Sequence, residues 1–140
     1  MATTFGFFSD AALTTPLSAR LLFTQAVSSP AAVDKVVYFG SATASRKAMA
    51  NSAPGVDPIV ISITDAAGGS GSPTSDVKLA LSSGGLAAAT GGASLTLPVE
   101  IDSGSANAIP IHIRVLDSTH AFALNQDLSL TTNTLAEFSV

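Results

Sequence analysis

Two histidines, His112 and His120, are the only imidazoles in the chain, and Asp117 stands between them. Imidazoles and a carboxylate can hold zinc when the fold brings them within bonding distance. His112 alternates away from Ile111 and Ile113 on a strand, so a surface or interface histidine is the simpler reading. Glu100 and Asp102 share a strand face at i and i+2. Paired carboxylates perform acid–base chemistry when burial raises one pKa, but Glu100 alternates with Val99 and Ile101 and belongs to the solvated face. Asp65, Asp76 and Asp102 fall at strand ends, where short acidic side chains cap turns. They lack the Asp-x-Asp-x-Asp-Gly spacing of a calcium loop. Gly69-Ser70-Gly71 has no strand-to-helix elbow around it, and no Lys-Ser/Thr follows the Gly-Gly pairs at 84–85 and 91–92. These residues assemble no catalytic constellation. The chain reads as non-enzymatic, with no cofactor and no metal.

The elements that would position a site come from composition and alternation. Only 11% of the 140 residues are charged, while 46% are hydrophobic. A typical soluble domain carries about 25% charged residues. Ser, Thr, Ala and Gly cover this surface instead, and such a surface loses little solvation when a neighbour buries it. The net charge of −4 and six scattered basic residues give no stripe for phosphate neutralisation, so no nucleic-acid partner is expected. The absence of cysteine removes disulfides and thiolate ligands. The opening Met-Ala-Thr-Thr-Phe-Gly-Phe-Phe has no charged leader pattern, and no apolar run reaches membrane-spanning length. Folding in a cytoplasm, with no membrane partner, is the expectation.

Periodicity two dominates. Ile59, Ile61 and Ile63 share a face, as do Val77, Leu79 and Leu81. Leu95, Leu97, Val99 and Ile101 form a third set, and Ile109, Ile111, Ile113 and Val115 a fourth. Such alternation indicates half-buried antiparallel strands. Ala19–Val27 and Lys35–Phe39 are strand-like with bulky groups on both faces. Leu128 and Leu130 alternate with polar residues, and Asn133 marks a turn before Leu135–Val140. The expectation is an all-β antiparallel sandwich, Ig-like or jelly-roll-like, with seven to nine strands in one domain over 1–140. Pro98 and Pro110 mark an edge, a strand start or a bulge.

Residues 45–58, with Arg46, Lys47, Pro54 and Gly55, read as a long surface loop, and 66–75 as a glycine-rich one. Gly84–Gly92 reads as one short helical turn near 85–91, with Leu86 tucked under the end of the sandwich. Phe5, Phe7 and Phe8 concentrate apolar area in the first residues. Segment 1–17 reads either as the first strand or as an arm that docks on a neighbour. Candidate interface residues are therefore Phe5, Phe7, Phe8, Arg46, Lys47, Leu135, Phe138 and Val140.

One stretch resembles a known family. Leu79-Ala80-Leu81, Gly85-Leu86, Ala89-Thr90 and Gly92 are followed by Ala106–Pro110 and Arg114-Val115. This resembles the small Ig-like β-sandwich virion structural proteins of tailed bacteriophages. The resemblance covers less than half of the chain. It implies a capsid decoration or cement protein that bridges major capsid subunits, located on the virion surface and assembled in host cytoplasm. It implies homo-oligomers, dimer or trimer, at a local symmetry axis. A tail or baseplate component is the alternative within virion proteins. A carbohydrate- or receptor-binding sandwich is another, although the chain has no Trp and one Tyr for stacking on sugars.

Overall fold

A computed structural model describes residues 3–17, 21–26, 28–66, 72–117 and 128–140. The alternating segments form strands as their spacing requires. The first sheet contains β1 (Gly6–Phe8), β2 (Val33–Gly40), β5 (Val77–Ala80) and β8 (Ile109–Val115), in the order β1-β2-β8-β5. A second layer contains β3 (Arg46–Ala50), β4 (Val60–Asp65), β6 (Leu95–Thr96), β7 (Glu100–Asp102), β9 (Leu128–Thr132) and β10 (Leu135–Ser139). Here the orders are β10-β3-β7 and β6-β4-β9, and every pairing is antiparallel.

The inward faces meet in one core. Val37 and Phe39 of β2, Ile111 and Ile113 of β8, and Val77 and Leu79 of β5 pack against Ala48, Ile59, Ile61, Leu97 and Ile101. Phe39, Ile59, Ile61, Leu86, Ile111 and Val37 are fully buried. Each such side chain contributes about 1.5–3 kcal/mol relative to exposure. The architecture is the expected antiparallel sandwich. Helix α1 (Gly85–Ala88) occupies the expected helical turn, with Leu86 fully buried and the Ser82 hydroxyl accepting the Gly85 N–H at 3.1 Å.

The three-stranded sheets of the second layer join end to end, and the junction explains an unexpected loop. Leu135 pairs with Ala50 and Thr132 with Ile61. Between these pairs only Asn133 and Thr134 stand on one strand, whereas residues 51–60 stand on the other. The middle strand is thus interrupted by an outward excursion, while its flanks run almost straight through. Asn133 bridges the interruption: its side-chain oxygen accepts the Val60 N–H at 3.0 Å and its nitrogen donates to the Pro58 carbonyl at 3.1 Å. Asn133 therefore marks a junction between collinear strands, each paired to another partner, and not a hairpin reversal.

Three expectations change. Arg46–Ala50, expected inside a loop over 45–58, is strand β3; Ala48 and Ala50 fill its buried positions, and alanine gives too weak an apolar signal to reveal the alternation. The run Leu95–Ile101 breaks at Leu97–Val99 into β6 and β7, leaving Val99 exposed where alternation would bury it. The strand expected over Ala19–Val27 lies partly outside the described residues, and its described part, 21–26, belongs to no strand. Leu21 and Phe23 pack against the core there, and Gln25 accepts the Asp117 N–H at 2.8 Å.

Both prolines sit where no donor is required. Pro98 lies between β6 and β7 on an edge. Pro110 lies in β8 beyond the last paired residue of β5, Ala80, which faces His112. On that flank no ladder bond is lost.

Candidate interaction surface

Segment 3–17 packs on its own chain. Phe7 pairs with Phe39, their rings 5.3 Å apart, and Phe5 lies 6.3 Å from the same ring. Phe5 and Phe8 are buried, and Phe7 is half-buried against the core. Phe8 faces Tyr38 across β2 on the opposite side of the sheet. Beside it, Leu13 covers Gly40, where an added Cβ would meet a Leu13 methyl at 3.0 Å. Beyond β1, Thr15–Leu17 folds back along the strand, with Leu17 N–H donating to Phe7 O at 2.9 Å. Phe5 and Phe7 thus spend their apolar area in the core, and Phe8 is buried on the other face of the same sheet. Of the two readings of segment 1–17, the pairing of β1 with β2 fits the first strand.

The other candidates converge. Register places Phe138 opposite Lys47, Ser139 opposite Arg46 and Leu135 opposite Ala50, while Val140 N–H donates to Ser45 O at 3.1 Å. Arg46, Lys47, Leu135, Phe138 and Val140 therefore share the β3–β10 pair. Phe138 is 41% exposed and Val140 72%. On the outer face Lys47 stands between Phe138 and Asp102, and Met49 between Ala136 and Glu100. The Lys47 ammonium lies 3.3 Å from Glu100 and 3.7 Å from Asp102. Glu100 and Asp102 thus stand next to a cation at the surface. The excursion beside this face carries Val56 at its tip, 74% exposed, and the Ser52 hydroxyl donates to Asp57 at its base.

The inner face of β10 holds a group that composition concealed. Glu137 lies opposite the fully buried Ala48, and only 14% of its side chain is exposed. Its carboxylate accepts the Thr4 N–H at 2.6 Å, the Thr3 hydroxyl at 2.9 Å and the Thr4 hydroxyl at 3.0 Å, with Arg46 Nε at 3.6 Å. Burial pushes the Glu137 pKa up, but the Thr4 and Thr3 hydrogen bonds and the Arg46 charge outweigh it and hold the group below its ordinary value. Its signal was legible: a lone carboxylate at an inward position of an alternating strand.

On the other sheet Arg114 forks onto Asp34 at 2.7 and 2.8 Å. The hydrogen bond from Arg114 holds Asp34 below the ordinary carboxylate range. His112 sits on the same outward face, opposite Val36 and Ala80, while His120 lies outside the described residues. No group of three or more metal-ligating side chains stands together among the described residues. No helix among them is long and apolar enough to cross a membrane.

Among the described residues the β3–β10 pair thus presents Phe138 and Val140 as exposed apolar groups beside the charge of Lys47. No family model matches the chain, and comparisons with curated proteins and with solved structures give no match.

Proposed function

We propose that the chain is a non-enzymatic structural subunit of a phage virion, a capsid decoration or cement protein that bridges major capsid subunits. The observation that carries this reading is the convergence of Arg46, Lys47, Leu135, Phe138 and Val140 on one strand pair at a sheet edge. The exposed Phe138 and Val140 beside the Lys47–Glu100–Asp102 ion pairs give this edge both apolar area and charge for contact with a neighbour, repeated many times over a lattice. The sequence resemblance to small phage virion sandwiches supports the same role.

Cryo-electron microscopy of virions in which the chain is found by mass spectrometry tests the proposal. Density for this sandwich on the capsid lattice is the expected result. Density confined to the tail would replace the proposal with a tail role, and absence of the chain from purified virions would remove both. Phe138→Ser is expected to lower occupancy on the capsid without unfolding the chain, because the ring is already partly in water.

A further inference from the structure

The hydrogen bonds at the two ends of β10 fix which of its residues face β3. Val140 N–H donates to Ser45 O, and Asn51 N–H to Thr134 O. In an antiparallel ladder bonded pairs alternate along the strand. Thr134, Ala136, Phe138 and Val140 therefore turn their N–H and C=O groups toward β3, and Leu135, Glu137 and Ser139 turn theirs outward. Among the described residues nothing on the backbone pairs with that outward row.

The contrast with the β1, β5 and β6–β7 edges is informative, because exposed strand edges pair with other chains unless something blocks them. Beside β1 lies Thr15–Leu17, with Ser9 N–H on Thr15 O and Leu17 N–H on Phe7 O. Strand β5 spans only Val77–Ala80, and Gly92 N–H takes the Val77 carbonyl. The β6–β7 edge carries Pro98 and the exposed carboxylates of Glu100 and Asp102. Strand β10 has no proline and no lysine, and among the described residues no segment covers its outer edge. Its single charge, Glu137, is drawn inward to Thr3 and Thr4.

We infer that β10 is a two-fold pairing edge, occupied by β10 of a second copy in antiparallel register centred on Glu137. That register opposes Leu135 to Ser139 of the second copy and Glu137 to its own equivalent. These are the residues whose backbone groups face outward, so each donor meets an acceptor. A contact of this kind is isologous and closes at a dimer. On the outer face the register sets each exposed Phe138 against Ala136 of the other copy, so the ring covers a small side chain. Like charges directly opposite destabilise a strand pair. Here each Glu137 carboxylate is compensated within its own chain by Arg46 and by the Thr3 and Thr4 donors. The result is a six-stranded sheet built from β7-β3-β10 of each copy. The inference deepens the proposed role and rests on it only for the use of this face.

Sedimentation equilibrium of the full chain up to about 1 mM, the weak limit of measurable association, reads the dimer directly. Ser139→Pro removes an outward N–H and leaves the β3 ladder intact. It is expected to raise the dissociation constant about tenfold or more, since two symmetry-related bonds are lost. Unchanged far-UV circular dichroism would show that the variant still folds. Because the chain has no cysteine, Leu135→Cys and Ser139→Cys provide an independent register test. Opposed residues in a bonded pair stand about 5.5 Å apart, within disulfide reach. Mixed together under oxidation the two variants should form a disulfide-linked dimer, and neither should do so alone. A chain that stays monomeric throughout, a dimer indifferent to Ser139→Pro, or crosslinks in a single variant would overturn the inference. Failure here would leave capsid occupancy to decide the virion role, because a decoration subunit can bind as a monomer.

Discussion

Thr4 donates its backbone N–H to Glu137 Oε2 at 2.6 Å, which ties the segment entering β1 to the last strand across the two layers of the sandwich. The Thr4 hydroxyl also meets Ser41 Oγ at 2.7 Å, and Ser41 is fully buried and accepts the Gly104 N–H on its carbonyl. Glu137→Ala removes a charged acceptor shared by Thr3 and Thr4. A loss of about 1–2 kcal/mol in stability is expected, because the freed donors are partly reached by water. Chemical denaturation checks the magnitude, and amide exchange checks the place. Protection of Phe7 and Phe8 should fall most; uniform loss over the chain would contradict a local clamp.

Acid should weaken the same clamp. The folded pKa of Glu137 lies below its ordinary value, as do those of Asp34, held by Arg114, and Asp10, held by the Thr14 hydroxyl and by the Thr14 and Thr15 N–H groups. Groups with lowered folded pKa contribute stability that is complete above the unfolded value and disappears as pH falls through the folded one. Stability should therefore be level from neutral pH down to about 5 and decline below about 4. In Glu137→Gln the decline should be shallower, measured as denaturation midpoints against pH. An identical acid slope in the variant would mean that Glu137 titrates alike in both states.

The fold was legible wherever large aliphatic residues alternated. Ile59–Ile63, Val77–Leu79 and Ile109–Val115 carry their inward residues at the positions that period two assigns. Legibility ended where the inward residue was alanine, as in β3, because a methyl group hardly distinguishes core from surface in sequence. It ended again at Leu97–Val99, where Pro98 bends an edge and turns Val99 outward. The N-terminal phenylalanines were ambiguous for a different reason. Apolar load shows that a segment must be buried, but not whether its own chain or a neighbour buries it; the pairing of Phe7 with Phe39 decides that.

The candidate surface was legible in part for the same reason. Lys47 and Phe138 are separated by most of the chain, and only strand register sets them opposite each other. The low charge of the whole chain pointed to contact, while the direction of the β10 backbone groups, which decides what can pair there, depends on the hydrogen bonds of Val140 and Asn51.

Asn133 supplies the last expectation. Its side chain satisfies the Val60 N–H and the Pro58 carbonyl, two groups left without ladder partners by the interruption of the middle strand. Its own backbone N–H donates to Val60 O at 3.1 Å, so the carboxamide is held at a fixed distance from the gap. Asn133→Ala strands both groups partly buried and should cost about 1–3 kcal/mol. Asn133→Asp keeps the acceptor for Val60 but places a carboxylate oxygen beside the Pro58 carbonyl, so it should not restore the wild-type stability at neutral pH. Acidification would protonate that carboxylate and replace the lost donor, so Asn133→Asp should recover against Asn133→Ala as pH falls. Paired denaturation curves at pH 7 and pH 4 read this difference. A gap between the two variants that is the same at both pH values would show that the donor to Pro58 carries no stability, leaving the Val60 bond as the whole contribution of Asn133.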